Sequence, residues 1–142
     1  LVKEAVLAGF IPVMLGMGGN VGVQAATVAV RNIALGRSQG IGVATQLFRE
    51  TRVGFLIGVG FAATLGGYAL LRWSEQPLLA LSISVSIMMT VVVAAALGTM
   101  VPMTLHRLGV DPAIATGPFV TTGIDLAAIL IYFSTSVLIL GL

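Results

Sequence analysis

The chain has 142 residues, of which 58% are hydrophobic and only 8% are charged. A soluble domain carries about a quarter of its residues as charged side chains, so the surface of this chain must face an apolar medium, most simply a lipid bilayer. Seven basic and five acidic residues give a net charge of +2, which is too sparse for a surface that binds nucleic acid. The absence of cysteine excludes disulfides and thiolate metal sites.

Four long apolar stretches predict four membrane-spanning helices. Each reaches the ~20 residues that a helix needs to cross the hydrocarbon core, and a helix is expected because any other backbone would leave amides unpaired in lipid. The fold class is therefore all-α, a polytopic transmembrane helical bundle without a second domain. The stretches run from about Ala5 to Val30, Val53 to Leu71, Leu78 to Leu105 and Ala113 to Leu142.

The charged residues of the linkers predict the orientation in the membrane. The segment Arg31–Arg52 contains four arginines and one acid, and His106–Asp111 is also basic. By the positive-inside rule, loops 31–52 and 106–112 are cytoplasmic, whereas the Arg72–Pro77 turn and the C-terminus are extracytoplasmic. We expect a multi-pass protein of the cell membrane. Polar residues separate the apolar residues of the linker, which favours a short interfacial helix that leads into the second span; the apolar residues are Ile41, Val43, Ala44, Leu47 and Phe48.

Asp125 is the main candidate for function, because it lies within the fourth apolar stretch. A carboxylate at membrane depth is costly unless it faces water, protein or an ion. Another interpretation is a protonated Asp125 that forms a hydrogen bond with a neighbouring helix.

The residues before Asp125 favour an ion site. Gly117, Thr121 and Asp125 are spaced i, i+4, i+8, so one helix would place them on one face. Pro118 donates no backbone hydrogen bond, which would leave the Ile114 carbonyl free. A carboxylate, a hydroxyl and carbonyl oxygens are hard ligands, suited to Mg²⁺ or Ca²⁺.

Three further polar residues each allow two interpretations. Asn20 and Gln24 lie one turn apart in the glycine-rich first stretch; they either form hydrogen bonds between helices or line a pore and bind the water shell of an ion. Asp111 precedes Pro112 and is either a helix N-cap, an acid at the inner mouth of a pore, or both.

Small residues recur every four positions in the third stretch, and a GxxxG pair lies in the second. We expect both to pack against neighbouring helices without a chemical role. These residues are Ser82, Ser86, Thr90, Ala94 and Gly98, and Gly54 and Gly58.

Two segments resemble the signature of the MgtE family of magnesium channels. They are Pro12–Arg31, PVMLGMGGNVGVQAATVAVR, and Asp111–Tyr132, DPAIATGPFVTTGIDLAAILIY, and the resemblance covers essentially the whole chain. It implies a homodimer with five membrane helices per subunit and a pore along the two-fold axis. Residues 1–142 would then form a transmembrane ion-conducting domain with four of the five spans. The family's first helix and its cytoplasmic N-terminal and CBS domains would be missing, and the start at Leu1 also indicates a fragment.

The resemblance also assigns roles to residues. The family's ion-selecting aspartate corresponds to Asp125, and an acid at the inner end of the same helix corresponds to Asp111. Oxygen ligands one and two turns earlier correspond to Thr121 and Gly117, although some relatives carry Asn at the latter position, so only a carbonyl remains here. The resemblance also implies that Mg²⁺ is the transported ion and ligand, and that it moves into the cytoplasm. Because Mg²⁺ loses its waters reluctantly, such a pore should present oxygens to the hydration shell.

Two other functions are compatible with parts of the sequence. A secondary transporter would use Asp125 for proton or sodium coupling. An intramembrane aspartyl protease needs Gly-x-Gly-Asp and a second intramembrane aspartate; here only Gly123-Ile124-Asp125 is present, and Asp111 lies at a helix end. We therefore expect that the chain is not an enzyme.

Overall fold

The computed structural model describes residues 2–37 and 42–141. Its α-helices are α1 (Val2–Ala34), α2 (Val43–Arg72), α3 (Pro77–Arg107) and α4 (Pro118–Leu140), with a short 3-10 helix at Pro112–Thr116 before α4. All four α-helices are long and apolar enough to cross a membrane. The predicted fold class, an all-α polytopic transmembrane bundle, is confirmed.

The second helix begins earlier than the hydropathy of the sequence indicated. It begins at Val43, not near Val53, and the predicted interfacial helix is its first part; the beginning of that predicted segment, Ile41, lies outside the described residues, as does Ser38. Charged residues such as Arg49 lower the local hydropathy, but Arg and Glu are good helix formers. The backbone therefore continues as one helix across the boundary between polar and apolar sequence.

The fourth apolar stretch is not one helix, so the prediction of a span from Ala113 was wrong. The 3-10 helix ends at Thr116, and Gly117 has an extended backbone with φ −98° and ψ −153° before α4 begins at Pro118. The cause is local. Proline disfavours the helical conformation in the residue before it, whereas proline itself is well suited to the first position of a helix.

Helix α3 lies at the centre of the bundle, in contact with every other helix, whereas α2 packs mainly against α3. Glycines permit these close approaches. A Cβ at Gly98 would meet the Gly22 carbonyl of α1, and one at Gly54 would meet Ala95 across the α2–α3 contact. The packing role predicted for the GxxxG pair is confirmed, since a Cβ at Gly58 would also contact the backbone of Met88.

The small-residue stripe of α3 also packs as predicted, and it adds polar contacts between helices. The Ser82 hydroxyl donates to the Ser136 hydroxyl at 3.2 Å, and Ser86 forms a short hydrogen bond with Thr135. All four side chains are buried. Hydroxyl pairs of this kind satisfy polar groups that water does not reach, and each contributes about 0.6 kcal/mol in membrane bundles.

The two ends of the bundle differ in charge. Close approaches run from Gly54–Ala95 to Gly66–Ser84 between α2 and α3, so these two helices are antiparallel. They run from Gly18–Ala128 to Gly22–Ile124 between α1 and α4, which are therefore also antiparallel. The end that contains the start of α2, which we call the basic end, therefore carries five arginines and two acids: Arg31, Arg37, Arg49, Arg52, Arg107, Glu50 and Asp111. The opposite, neutral end carries two basic and two acidic residues: Lys3, Arg72, Glu4 and Glu75.

Candidate functional site

Asp125 lies on α4 beside the glycine-rich part of α1. It is the eighth residue of α4, which places it about 10 Å along the axis from the start of that helix. Its side chain is half-buried, and a Cβ built on Gly19 would lie 3.9 Å from Asp125 Oδ1. The missing side chain at Gly19 thus leaves the backbone of α1 next to the carboxylate.

The Asp125 carboxylate has no hydrogen-bond or ion-pair partner among residues 2–37 and 42–141. The alternative interpretation, in which a protonated Asp125 forms a hydrogen bond with a neighbouring helix, is therefore not supported, because the described chain provides no partner for that bond. An intramembrane carboxylate without such a partner requires water, an ion or a second protein surface.

Thr121 is oriented so that its oxygen can accept. It lies one turn before Asp125 on α4, and its hydroxyl donates to the Pro118 carbonyl at 3.1 Å. With its proton used in this way, the lone pairs of the oxygen remain free for a cation or for the water bound to one. Thr121 and Asp125 therefore share a helical face, as the spacing predicted.

Gly117 and Ile114 do not continue that face. Gly117 is the N-cap residue of α4 and has an extended backbone, and Ile114 lies within the 3-10 helix. The prediction of three residues on one helical face is wrong at its first member, because the helix begins at Pro118. The Ile114 carbonyl oxygen nevertheless lies near Gly117, at 3.8 Å from the position of a Cβ built there.

Asp111 is an N-cap, one of its two predicted roles. Its Oδ1 accepts a 2.9 Å hydrogen bond from the Ala113 amide at the start of the 3-10 helix. The side chain is exposed at the basic end, so an additional role as an acid at the mouth of a pore remains a prediction.

Asn20, Gln24 and Thr27 lie on the outer surface of α1. All three are exposed, and the Thr27 hydroxyl donates within its own helix to the Val23 carbonyl at 2.8 Å. Asn20 and Gln24 form no hydrogen bond with another helix in the described part of the chain. Together with Thr121 and Asp125 on the adjacent α4, they form what we call the polar seam.

The polar seam contrasts with the outer face of α2, where large exposed side chains such as Phe55, Leu56 and Val59 are apolar and suited to lipid. Amide and carboxylate groups in a span avoid lipid and face protein or water. We therefore expect the polar seam to contact protein or water and not lipid.

The sequence did not point to Gly19, which the structure places at the site. Only the amides that follow it were predicted as site residues, although the four glycines among positions 16–22 indicate a close backbone approach. Within residues 2–37 and 42–141, no group of three or more His, Cys, Asp or Glu side chains is arranged to hold a metal ion. At this depth the described chain offers a single carboxylate, Asp125.

Four helices that are long and apolar enough to span a membrane, one of them with an unpaired carboxylate, define a polytopic membrane protein. Comparison with known families agrees with this class. Residues 11–135 match the family model MgtE, which is described as a divalent cation transporter, so the chain belongs to the MgtE family.

Several curated relatives are magnesium transporters named MgtE. The relative from Thermus thermophilus is 40% identical over an alignment of 142 positions that covers 98% of this chain and 31% of the relative. The relative from Bacillus subtilis is 34% identical over 133 residues, 94% of this chain and 29% of the relative. The relative from Enterococcus faecalis is 35% identical over 135 residues, 94% and 30% respectively. The chain thus spans about a third of the length of these relatives.

Proposed function

We propose that this chain forms the ion-conducting transmembrane part of a magnesium transporter, in which two copies enclose a pore along their two-fold axis. The observation that carries this proposal is the polar seam of α1 and α4, where an unpaired Asp125 lies beside Gly19 on an uncovered surface. Two-fold symmetry would bring two identical seams together. The names of the relatives supply the ion, Mg²⁺.

The chemistry of the seam fits a hydrated divalent cation. Two Asp125 carboxylates facing each other would balance the charge of one Mg²⁺, whereas a monovalent ion gains less from the same field. Mg²⁺ keeps several of its waters in protein sites. The acceptor oxygen of Thr121 and the amides of Asn20 and Gln24 would form hydrogen bonds with those waters, so selection does not require full dehydration. In this pore the Gly117 and Ile114 carbonyls lie toward the basic end from Thr121.

The basic end would face the cytoplasm, and Mg²⁺ would move toward it. Five arginines against two acids give this end the positive excess that favours the cytoplasmic side. Asp111, exposed at the same end, would lie at the inner mouth of the pore and attract the cation there. The neutral end, with the C-terminus, would then be extracytoplasmic.

Transport in proteoliposomes tests the proposal. The intact protein is reconstituted with a Mg²⁺ indicator inside the vesicles, and Asp125→Ala serves as the site-specific control. We expect Mg²⁺ entry down its own gradient that is unaffected by collapsing proton and sodium gradients, and no entry with the variant. Entry that requires one of these gradients would instead identify a coupled secondary transporter.

A further inference from the structure

A cavity of about 260 Å³ lies at the basic end, between the C-terminal end of α1 and the first turns of α2. A water molecule occupies about 30 Å³ in the liquid, so the cavity is large enough for a group of several non-hydrogen atoms. Its described lining residues are all polar or charged, with two arginines and one glutamate: Asn32, Arg37, Gln46, Arg49 and Glu50. None of these residues belongs to the polar seam.

Gln46 is the one described lining residue whose side chain is almost fully buried. The side chain is only 5% exposed, and its Nε2 has no hydrogen-bond partner among the described residues. A buried donor left unpaired is costly, so such groups in folded proteins normally have an acceptor. Gln46 lines the cavity, so rotation about the last bond of its side chain would direct Nε2 towards an acceptor bound there.

The surroundings select an anion as that acceptor. Arg37 and Arg49 contribute two guanidinium groups to the lining, and a guanidinium presents several N–H donors in a geometry that matches phosphate.

We propose that this cavity is a binding site for a phosphate group. Arg37 and Arg49 bind the phosphate oxygens, and the Gln46 amide donates to one of them. Glu50 is the one acid among the described lining residues, and it accepts a hydrogen bond from a hydroxyl or amine substituent of the phosphate. Such a group occurs in the headgroup of an anionic phospholipid and in free phosphate compounds, and the site lies at the end where lipid headgroups meet the protein.

Thermal unfolding of the intact protein in detergent tests this site, with two probes. One probe is dioctanoyl phosphatidylglycerol and the other is inorganic phosphate, each titrated at constant ionic strength because surface electrostatics are screened by salt. We expect at least one probe to raise the unfolding temperature in a saturable manner. Stabilisation by phosphatidylglycerol alone identifies a lipid headgroup, and stabilisation by both identifies a site open to free phosphate.

Three variants decide whether the effect arises in the cavity. Arg49→Gln should raise the apparent Kd about tenfold or more, the loss expected for a charge-assisted hydrogen bond. Gln46→Glu should abolish the shift, since its carboxylate repels the phosphate and pairs with the arginines. The matched control is Arg107→Gln, an exposed arginine at the same end but outside the cavity lining, which should bind like the unmodified protein.

Two results would overturn the proposal. One is the absence of a saturable shift with either probe. The other is a shift that Arg49→Gln and Gln46→Glu leave unchanged, or that Arg107→Gln removes to the same extent, because the effect would then be a general response to anions. Both variants retain a polar side chain, and unfolding without added probe verifies that they are folded.

Discussion

The Tyr132 hydroxyl donates a 2.7 Å hydrogen bond to the backbone carbonyl of Leu7, which joins α4 to α1 near the neutral end. The tyrosine is 1% exposed, so water does not compete for this contact. The bond lies one turn before Pro12, which interrupts the hydrogen-bond ladder of α1 because proline has no amide proton for the Ala8 carbonyl. A side chain of another helix thus supports α1 where its own ladder is weakest.

Tyr132→Phe should destabilise the bundle by about 1 kcal/mol, since it removes one interhelical hydrogen bond and retains the packed ring. Unfolding in a mixed detergent series measures the change. Tyr68→Phe is the matched control, because Tyr68 is 55% exposed and the loss of its hydroxyl should not change the stability. Equal stability of the Tyr132 variant and the unmodified protein would show that the bond does not hold α1 in place.

Gly98→Ala should separate α1 from α3. The new methyl group would meet the Gly22 carbonyl and approach the Ala25 Cβ at 3.1 Å, and backbone atoms cannot turn aside as a flexible side chain does. Overpacking of this kind costs about 1–3 kcal/mol. The same unfolding measurement shows it as a lower midpoint.

The control for Gly98→Ala is Gly60→Ala in α2, where a Cβ would meet nothing within 4 Å. This substitution should be neutral or stabilise by up to about 1 kcal/mol, because alanine is the better helix former. If both glycine variants behave alike, the α1–α3 crossing does not depend on close backbone approach.

The sequence predicted the four spans because hydropathy and helix length are local properties of each segment. It also predicted the N-cap at Asp111, since Asp before Pro at a helix start acts through neighbouring atoms alone. It placed the beginning of the fourth span wrongly, because an apolar run does not reveal where Pro118 forces the chain to begin a new helix. The proximity of Gly19 to Asp125 could not be predicted, because it depends on how two distant helices pack against α3.

Cysteine labelling should place the basic end in the cytoplasm. The 142 residues contain no cysteine, so Gly42→Cys at the basic end and Ser74→Cys at the neutral end, both exposed, provide a matched pair, with any cysteine elsewhere in the intact protein removed. We expect an impermeant maleimide added to intact cells to label position 74 and to reach position 42 only after lysis. The reverse pattern would invert the proposed orientation.

Disulfide cross-linking tests whether the polar seam is a dimer interface. If two copies meet along α1 and α4, Asn20→Cys and Gln24→Cys should form covalent dimers under mild oxidation in membranes. Leu56→Cys on the outer face of α2, where the side chain is 70% exposed, should form no disulfide-linked dimer because it would face lipid. If Leu56→Cys forms disulfide-linked dimers and the seam positions do not, the dimer interface lies on α2 and not on the polar seam.

Substitution of Asp125 tests the ion site in cells. Asp125→Ala should abolish Mg²⁺-dependent growth of a strain that lacks its own magnesium uptake, because it removes both the charge and the oxygens. Asp125→Asn should leave at most a small residual uptake, since the amide retains the shape and one acceptor oxygen but not the negative field. Protein levels in the membrane are measured for every variant.

Asp111→Ala is the matched comparison, because it removes the other aspartate of the chain. Its carboxylate caps the 3-10 helix through the Ala113 amide, and the loss of a cap costs about 1 kcal/mol. Removal of a charge at the mouth of the pore should slow uptake without abolishing it, so growth should fall between those of the unmodified protein and Asp125→Ala. If Asp125→Ala grows at the unmodified rate and Asp111→Ala is impaired, the ion-selecting carboxylate is Asp111 and not Asp125.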